Sequence, residues 1–131
     1  MDSSESTRPP GRRLRPLPLP WQFRYCYDGG RRIVTRYAVV FMRAATDTDG
    51  LRIGVVASRK VGGAVKRNRA RRLLRETARS LVPRWHNRSI WVVFVARESI
   101  NQRNAHDVRE DIERALTENG AFAAPDESTR K

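Results

Sequence analysis

The side chains best suited to chemistry form a basic run in which nine Lys and Arg residues lie between Arg59 and Arg79, offset only by Glu76. Arginine binds phosphate through two parallel hydrogen bonds, so such a cluster is suited to a polyanion. The alternative is an ordinary solvated charge run. Like charges four residues apart destabilise a helix, however, and a bound polyanion relieves that repulsion. The run therefore predicts nucleic-acid binding.

A helix over Arg67 to Leu81, drawn at about 100° per residue, divides these residues between two faces. The face predicted to be buried carries Ala70, Leu73, Leu74, Thr77, Ala78 and Leu81. The face predicted to be exposed carries Asn68, Arg71, Arg72, Arg75 and Arg79, with Arg67 and Arg69 at its margins. One side of the helix can then pack on a sheet while the other presents a positive field.

Composition agrees with a polyanion partner and bounds the size of the fold. The chain has 131 residues, with 27 Lys and Arg against 14 Asp and Glu, and a net charge of +13 that works against a compact free protein. We predict a flexible basic, proline-rich arm over residues 1–20, one domain over residues 21–119 and a loose tail over residues 120–131. The N-terminus lacks the apolar stretch of a signal peptide, so a cytoplasmic location is predicted.

Catalytic and metal-binding patterns are missing from the sequence. It contains no CxxC, HExxH, GxSxG or P-loop motif, and neither His86 nor His106 has a second ligand at metal spacing. Cys26 is the only cysteine, which fits a reducing compartment and a small core residue. The carboxylates between Asp107 and Glu118 are interpreted as a solvated helix face. We predict no catalytic residue and no metal site in the protein itself.

A first helix is predicted over residues 20–28, because proline is favoured at the first helical position. Gly29 and Gly30 are expected to end it in a left-handed cap. Phe23 and Tyr27 lie four residues apart and share one face of this helix. Spacing alone favours a core role for both rings over a platform on which unpaired bases stack.

Strands are predicted from runs of β-branched and aromatic residues. Residues 31–36 are partly extended, residues 33–44 form a strand, and residues 43–57 form a hairpin connection followed by its second arm. Residues 89–96 (SIWVVFVA) are so uniformly apolar that they predict a central strand covered on both faces. With the helices, this gives an α+β fold, a small α/β sandwich in the order helix, three strands, helix, strand, helix.

A last helix is predicted from Asn104, as its N-cap, to about Asn119. Its inward stripe carries Val108, Ile112, Ala115 and Leu116. Its outward face carries Asp107, Glu110, Asp111, Glu113 and Glu118. Acidic residues are therefore concentrated away from the arginine-rich helix.

The run RIGVVASRKVGGAVKRNRARRLLRE, from Arg52 to Glu76, closely resembles the motif of the protein subunit of bacterial ribonuclease P. Its centre is Arg67-Asn68-Arg69, preceded by SRKVG and followed by the paired arginines and the Arg-Glu pair. The resemblance covers roughly residues 21–119. It implies a ribosomal-protein-S5-domain-2-like fold with a left-handed crossover through this helix, against the usual right-handed rule.

The resemblance also implies a function in removing the 5′ leader of precursor tRNA, with catalytic RNA and precursor tRNA as partners and no membrane or protein partner predicted. The RNA subunit is the catalyst, and Mg2+ is bound chiefly by RNA. The residues implied to contact the catalytic RNA are Arg59, Lys60, Lys66, Arg67, Asn68, Arg69, Arg71, Arg72 and Arg75. A cleft for the single-stranded leader is implied at Phe23, Tyr27 and Phe41, with Val40 as the alternative to Phe41.

The residues themselves are also compatible with two other functions. A general RNA-binding module, such as a ribosomal protein or an RNA chaperone, needs only the positive helix and the sheet. A protein nuclease would need positioned carboxylates, for which the candidates are those from Asp107 to Glu113.

Overall fold

The structure is a computed structural model that describes residues 14–45, 51–85 and 89–122. Its helices and strands are α1 (Pro20–Gly29), β1 (Arg31–Val34), β2 (Ala38–Ala44), β3 (Arg52–Val56), α2 (Ala64–Leu81), β4 (Ile90–Ala96) and α3 (Ala105–Glu118). Short 3-10 helices follow α2 at Val82–Arg84 and β4 at Glu98–Gln102. The predicted α+β class and element order are confirmed. No helix in these three ranges has the length and apolar character needed to cross a bilayer.

The strands form one sheet in the order β1-β2-β4-β3. β4 is antiparallel to β2 and parallel to β3, and all of its residues except Val95 are buried. The prediction of a central strand is confirmed. The predicted hairpin over residues 43–57 is wrong, because β4 lies between β2 and β3. The hairpin forms instead between β1 and β2, which divide the single strand predicted over residues 33–44.

Alternate residues along each strand face opposite sides of the sheet. Val92 and Phe94 of β4 belong to a core cluster shared with α2 and α3. Trp91 and Val93 belong to a second cluster shared with Cys26 of α1. The sheet therefore separates α1 from α2 and α3. α2 joins the parallel neighbours β3 and β4, and the left-handed sense of that crossover stays a prediction.

The end of α1 differs from the prediction. Gly29 is still helical and Gly30 has φ −88°, so neither residue adopts a left-handed cap conformation. Glycine at position 30 provides space instead. A Cβ there would overlap the carbonyl oxygen of Cys26 and would lie 2.7 Å from that of Met42. The close approach of the helix end to β2 is thus the physical reason for this glycine.

α3 begins as predicted, since the Asn104 side chain accepts a hydrogen bond from the Asp107 N–H at 2.8 Å. Its buried residues include the predicted Val108, Ile112 and Leu116. The prediction that Asp111 faces solvent is wrong, because this residue is only 4% exposed. Its carboxylate accepts hydrogen bonds from the backbone N–H groups of Arg36 at 3.2 Å and Tyr37 at 3.0 Å. These donors in the β1–β2 turn compensate for burial of the charge.

The segment before α1 belongs to the fold where the structure describes it, so the predicted flexible arm ends earlier than residue 20. Leu17 is buried in the cluster under α1. The Arg15 carbonyl accepts a hydrogen bond from the Ile53 N–H at 2.7 Å, and the Pro16 carbonyl accepts one from Arg52 at 3.1 Å. This contact occupies the outer edge of β3, where backbone groups would otherwise lack a partner. Arm residues 1–13 lie outside the described residues.

The tail predicted to be loose also begins later than residue 120. Ala121 and Phe122 are buried, and the Phe122 ring lies 4.7 Å from that of Trp85. Residues 123–131 lie outside the described part of the chain, as do the predicted turn at residues 46–50 and the loop at residues 86–88, which includes His86.

Candidate nucleic-acid interface

Helix α2 has the two faces predicted from its periodicity. It begins at Ala64, earlier than the predicted Arg67. Its buried residues are the six predicted ones, Ala70, Leu73, Leu74, Thr77, Ala78 and Leu81. The exposed polar residues include Lys66, Asn68, Arg72, Arg75 and Arg79, while Arg67, Arg69 and Arg71 are partly exposed. The apolar side is thus fixed on the sheet, and the basic side faces away from it.

The positive charge of α2 is not neutralised by carboxylates in the described residues. The ion pairs among them are Arg84–Glu113, Arg103–Asp107, His106–Glu110 and Arg114–Asp111. Each includes a residue of α3, and no cation of α2 takes part. Uncompensated charge on one helix face favours a polyanionic partner, because that partner supplies the missing counterions.

Hydrogen bonds hold two of the arginines in defined positions. Arg71 Nη2 donates to Asn68 Oδ1 at 2.5 Å. Arg69 donates to the carbonyl of Ile100 at 3.4 Å and to that of Arg103 at 2.5 Å, which ties α2 to the segment after β4. The guanidinium of Arg69 is therefore partly occupied within the protein. That each of these residues contacts RNA stays a prediction.

The turn before α2 extends the basic surface. Arg59 and Lys60 are exposed, whereas Val61 is buried and its carbonyl accepts a hydrogen bond from Asn101 Nδ2 at 2.7 Å. Gly62 has φ +141°, a conformation that side chains rarely adopt. Gly63 caps α2 without a side chain, and no acidic residue lies in the first helical turn. Among the described residues no side chain caps the first-turn N–H groups, so the helix start suits an anion.

The structure brings the three predicted aromatic residues of the leader cleft into one cluster on the α1 face of the sheet. The rings of Tyr27 and Phe41 meet edge to face with their centroids 4.9 Å apart. Phe23 lies over Gly54 of β3, where a Cβ would be 2.6 Å from the ring. Tyr27 is 39% exposed, and Phe23 and Phe41 are half-buried. Burial raises the pKa of Tyr27, with a smaller contribution from Cys26, so its hydroxyl stays neutral.

Val40, the alternative to Phe41, is fully buried on the opposite side of the sheet, so of the two only Phe41 lies on the face of the predicted cleft. Sequence reasoning missed Gly54, Val56 and Val95, which share the α1 face with Phe41. The sequence could have shown which residues share a face within each strand, because every second residue of a strand lies on one face. Placing these residues beside Phe41 also required the knowledge that β3 and β4 are neighbours in the sheet.

The other candidates for chemistry that the structure describes lie in separate places. Cys26 is a buried core residue as predicted, with Sγ 3.8 Å from the Trp91 carbonyl oxygen, and burial raises the pKa of its thiol to about 11. Asp111 is buried and Glu113 pairs with Arg84 on the outer side of α3, so these carboxylates serve separate contacts. Within the described residues, no three His, Cys, Asp or Glu side chains are grouped to hold a metal ion.

Comparison with known proteins agrees with this arrangement. The model of the Ribonuclease P family matches residues 12–120. The chain belongs to this family. The ribonuclease P protein component of Caulobacter vibrioides is 43% identical over 76 residues, which is 57% of this chain and 51% of that protein. That of Clostridioides difficile is 31% identical over 100 residues, which is 76% of this chain and 87% of that protein.

Solved structures of ribonuclease P proteins share the fold. The protein from Thermotoga maritima is 28% identical with a TM-score of 0.67, covering 79% of this chain and 96% of that one. The protein from Staphylococcus aureus has a TM-score of 0.71 at 24% identity, covering 84% of this chain and 99% of that one, and supports the fold alone. The resemblance seen in the sequence is thereby confirmed, although the aligned segment spans about half the length of the Caulobacter relative.

Proposed function

We propose that this chain is the protein subunit of a bacterial ribonuclease P in the cytoplasm. It binds the catalytic RNA and the 5′ leader of precursor tRNA, and it promotes the endonucleolytic removal of that leader to give the mature tRNA 5′ end. The observation that carries the proposal is the exposed basic face of α2, which has no carboxylate partner among the described residues and lies on a family-matched fold.

The catalytic RNA binds the basic face of α2 and the turn before it. This surface consists of Arg59, Lys60, Lys66, Arg67, Asn68, Arg69, Arg71, Arg72 and Arg75. Arginine forks and the first-turn N–H groups of α2 suit phosphate oxygens. Because the apolar side of α2 is fixed in the core, the basic residues are held at a constant spacing before the RNA binds.

The leader binds on the other face of the sheet, at Phe23, Tyr27 and Phe41. A half-buried ring is held firmly by its neighbours and still offers a flat surface to an unpaired base. Stacking of this kind is tolerant of sequence, which suits a subunit that must accept many leaders. The neutral phenol of Tyr27 avoids charge repulsion with the leader phosphates.

The protein supplies binding and orientation, and the RNA supplies the chemistry. The described residues contain no carboxylate cluster suited to Mg2+, so the chain does not fit a metal site of its own in these segments. Mg2+ is bound chiefly by the RNA subunit, where it supports hydrolysis. The residues of this chain bring the leader and the RNA together and offset the repulsion between their phosphates.

Reconstitution tests the proposal. The purified chain alone should not cleave a labelled precursor tRNA, and the chain with its partner RNA should cleave the leader at lower Mg2+ than the RNA alone. Replacing Arg67, Asn68 and Arg69 together by alanine should abolish this stimulation. Equal binding to unrelated structured RNAs without stimulation would instead indicate a general RNA-binding module. Cleavage by the chain alone, lost on replacing Asp107 or Glu113, would indicate a protein nuclease.

A further inference from the structure

A second aromatic cluster lies on α1, on the flank opposite the leader cleft. At about 100° per residue, Trp21 and Tyr25 project to one side of the helix while Phe23 and Tyr27 project to the other. The Trp21 ring meets the Trp91 ring at 5.7 Å and 59°, and the Tyr25 ring meets it at 5.4 Å and 69°. The helix is therefore bordered by aromatic rings on both flanks.

The outer member of this cluster is open to solvent. Trp21 is 54% exposed, whereas Trp91 beneath it is 4% exposed. Leu19, two residues before Trp21 in the sequence, is 47% exposed. Trp21 is thus held from below by a buried ring while much of its surface stays uncovered. An exposed indole held against a buried ring presents a flat face on which another planar group can stack.

The charge around the cluster indicates the chemistry of that partner. Strand register places Arg43 and Arg52 on either side of Trp91. The Arg43 guanidinium lies 4.0 Å above the Tyr25 ring and donates to the Tyr25 carbonyl at 3.0 Å. Among the acidic residues that the structure describes, only Asp28 belongs to α1 or to a strand. Flat apolar surface in a positive field suits unpaired nucleotides, which combine a base with a phosphate.

We propose that Trp21 binds an unpaired base of the precursor leader, upstream of the nucleotides held at Phe23, Tyr27 and Phe41. This inference rests on the proposed function and extends its leader site. The leader is the RNA on this face of the sheet, whereas α2 lies on the other face. The two aromatic clusters lie on opposite flanks of a helix that is only about 10–12 Å wide, so one single strand can contact both.

The test uses the reconstituted holoenzyme and precursor tRNAs with leaders of about four and about sixteen nucleotides, the range that single-stranded sites occupy. Trp21→Ala should weaken binding of the long-leader substrate by about fivefold or more, the smallest loss for removing a stacking ring. Binding of the short-leader substrate should not change. Trp21→Phe is the matched control and should retain most of the affinity. Phe41→Ala should weaken binding of both substrates.

A second measurement uses the full chain alone. Because Trp21 is the exposed indole and Trp85 and Trp91 are buried, a single-stranded RNA should quench the fluorescence of the wild-type chain. Trp21→Phe should remove most of that quenching. These results together support the inference.

Other outcomes overturn it without touching the proposed function. Equal weakening of short- and long-leader substrates by Trp21→Ala would place the contact on the catalytic RNA or on the mature tRNA. Unchanged binding of both substrates, with Phe41→Ala still harmful, would show that Trp21 binds no RNA. A wild-type holoenzyme that fails to cleave either substrate would instead refute the proposed function.

Discussion

Replacing Gly54 by alanine tests whether the leader cleft depends on the close packing of Phe23 against β3. A Cβ on residue 54 would lie 2.6 Å from Cε2 and 2.8 Å from Cζ of Phe23. Carbon atoms in favourable contact are about 3.5–4.0 Å apart, so the ring would have to move by roughly 1 Å. Leu17 Cδ1, 3.4 Å from the same Cβ, restricts the space around it.

The expected effects follow from this displacement. Overpacking of a core costs about 1–3 kcal/mol, and each kcal/mol lowers the Tm of a domain of this size by about 4–8 °C. A displaced ring also loses part of its stacking on the leader. We therefore expect Gly54→Ala to lower the Tm by about 4 °C or more and to weaken leader binding about fivefold. Affinity for the catalytic RNA should not change, because α2 lies on the other face.

The assays are thermal denaturation of the full chain and substrate binding by the reconstituted holoenzyme. The matched control is the same substitution in a Phe23→Leu background, where the smaller side chain leaves room for the new methyl group. There Gly54→Ala should be neutral or stabilising, because alanine restricts the unfolded chain. An unchanged Tm in the wild-type background, or an equal loss in the Phe23→Leu background, would refute the reasoning.

Three other parts of the structure give direct tests. Arg72→Ala and Arg75→Ala should each reduce the slope of log affinity against log salt for the catalytic RNA by about 1, while Arg109→Ala on α3 should leave it unchanged. Asp111→Asn should lower the free energy of unfolding in urea by about 1–3 kcal/mol. An amide has one accepting oxygen, so one of the two backbone N–H groups loses its acceptor. Burial raises the pKa of the Cys26 thiol from 9.0 to about 11, so alkylation of the folded chain at pH 9 should be slow. Because the folded chain holds this proton more tightly than the unfolded chain, its contribution to the free energy of unfolding is fully present below pH 9. The contribution should be lost as pH rises through about 11, and the Cys26→Ser variant should not show this loss.

For each of these three predictions, one outcome would contradict the reasoning. Equal salt slopes for the α2 and α3 variants would contradict the assignment of α2 as the RNA-binding face. A fully stable Asp111→Asn variant would show that the two hydrogen bonds to the β1–β2 turn contribute little. Rapid alkylation of Cys26 in the native chain would show that the helix opens readily from the sheet.

The features predicted well from sequence are those set by strong local patterns. The buried residues of α2 follow from one apolar stripe sustained over the length of the helix, with little competition from other periodicities. The central position of β4 follows from its uniform apolar character, because a strand with no polar face must be covered on both sides. The Asn104 cap follows from the preference of that residue type for helix starts.

The features missed depend on which distant segments meet. β2 pairs with β4, which follows α2 in the sequence, and not with β3, which precedes α2. This pairing depends on long-range contacts that no local pattern shows. In the sequence, Asp111 cannot be distinguished from other acidic residues of α3 such as Glu110. Only the packing of the β1–β2 turn against α3 gives its carboxylate two N–H partners. Trp21 and Trp91 are far apart in sequence and meet only because α1 lies across β4. In the candidate site, the role of Gly54 could not be predicted for the same reason, because its contact with Phe23 depends on how α1 packs on β3.

The position of β4 connects the two proposed RNA surfaces. Val92 and Phe94 support α2 and α3 from one side of the strand, while Trp91 and Val93 support α1 from the other. A change confined to one face, such as Gly54→Ala, should alter binding of one RNA alone. A change in the backbone of β4 should alter both, since neither helix can shift without its strand. Separate responses of leader and catalytic-RNA binding to face-specific variants are therefore the expected consequence of a sheet that holds the two surfaces apart.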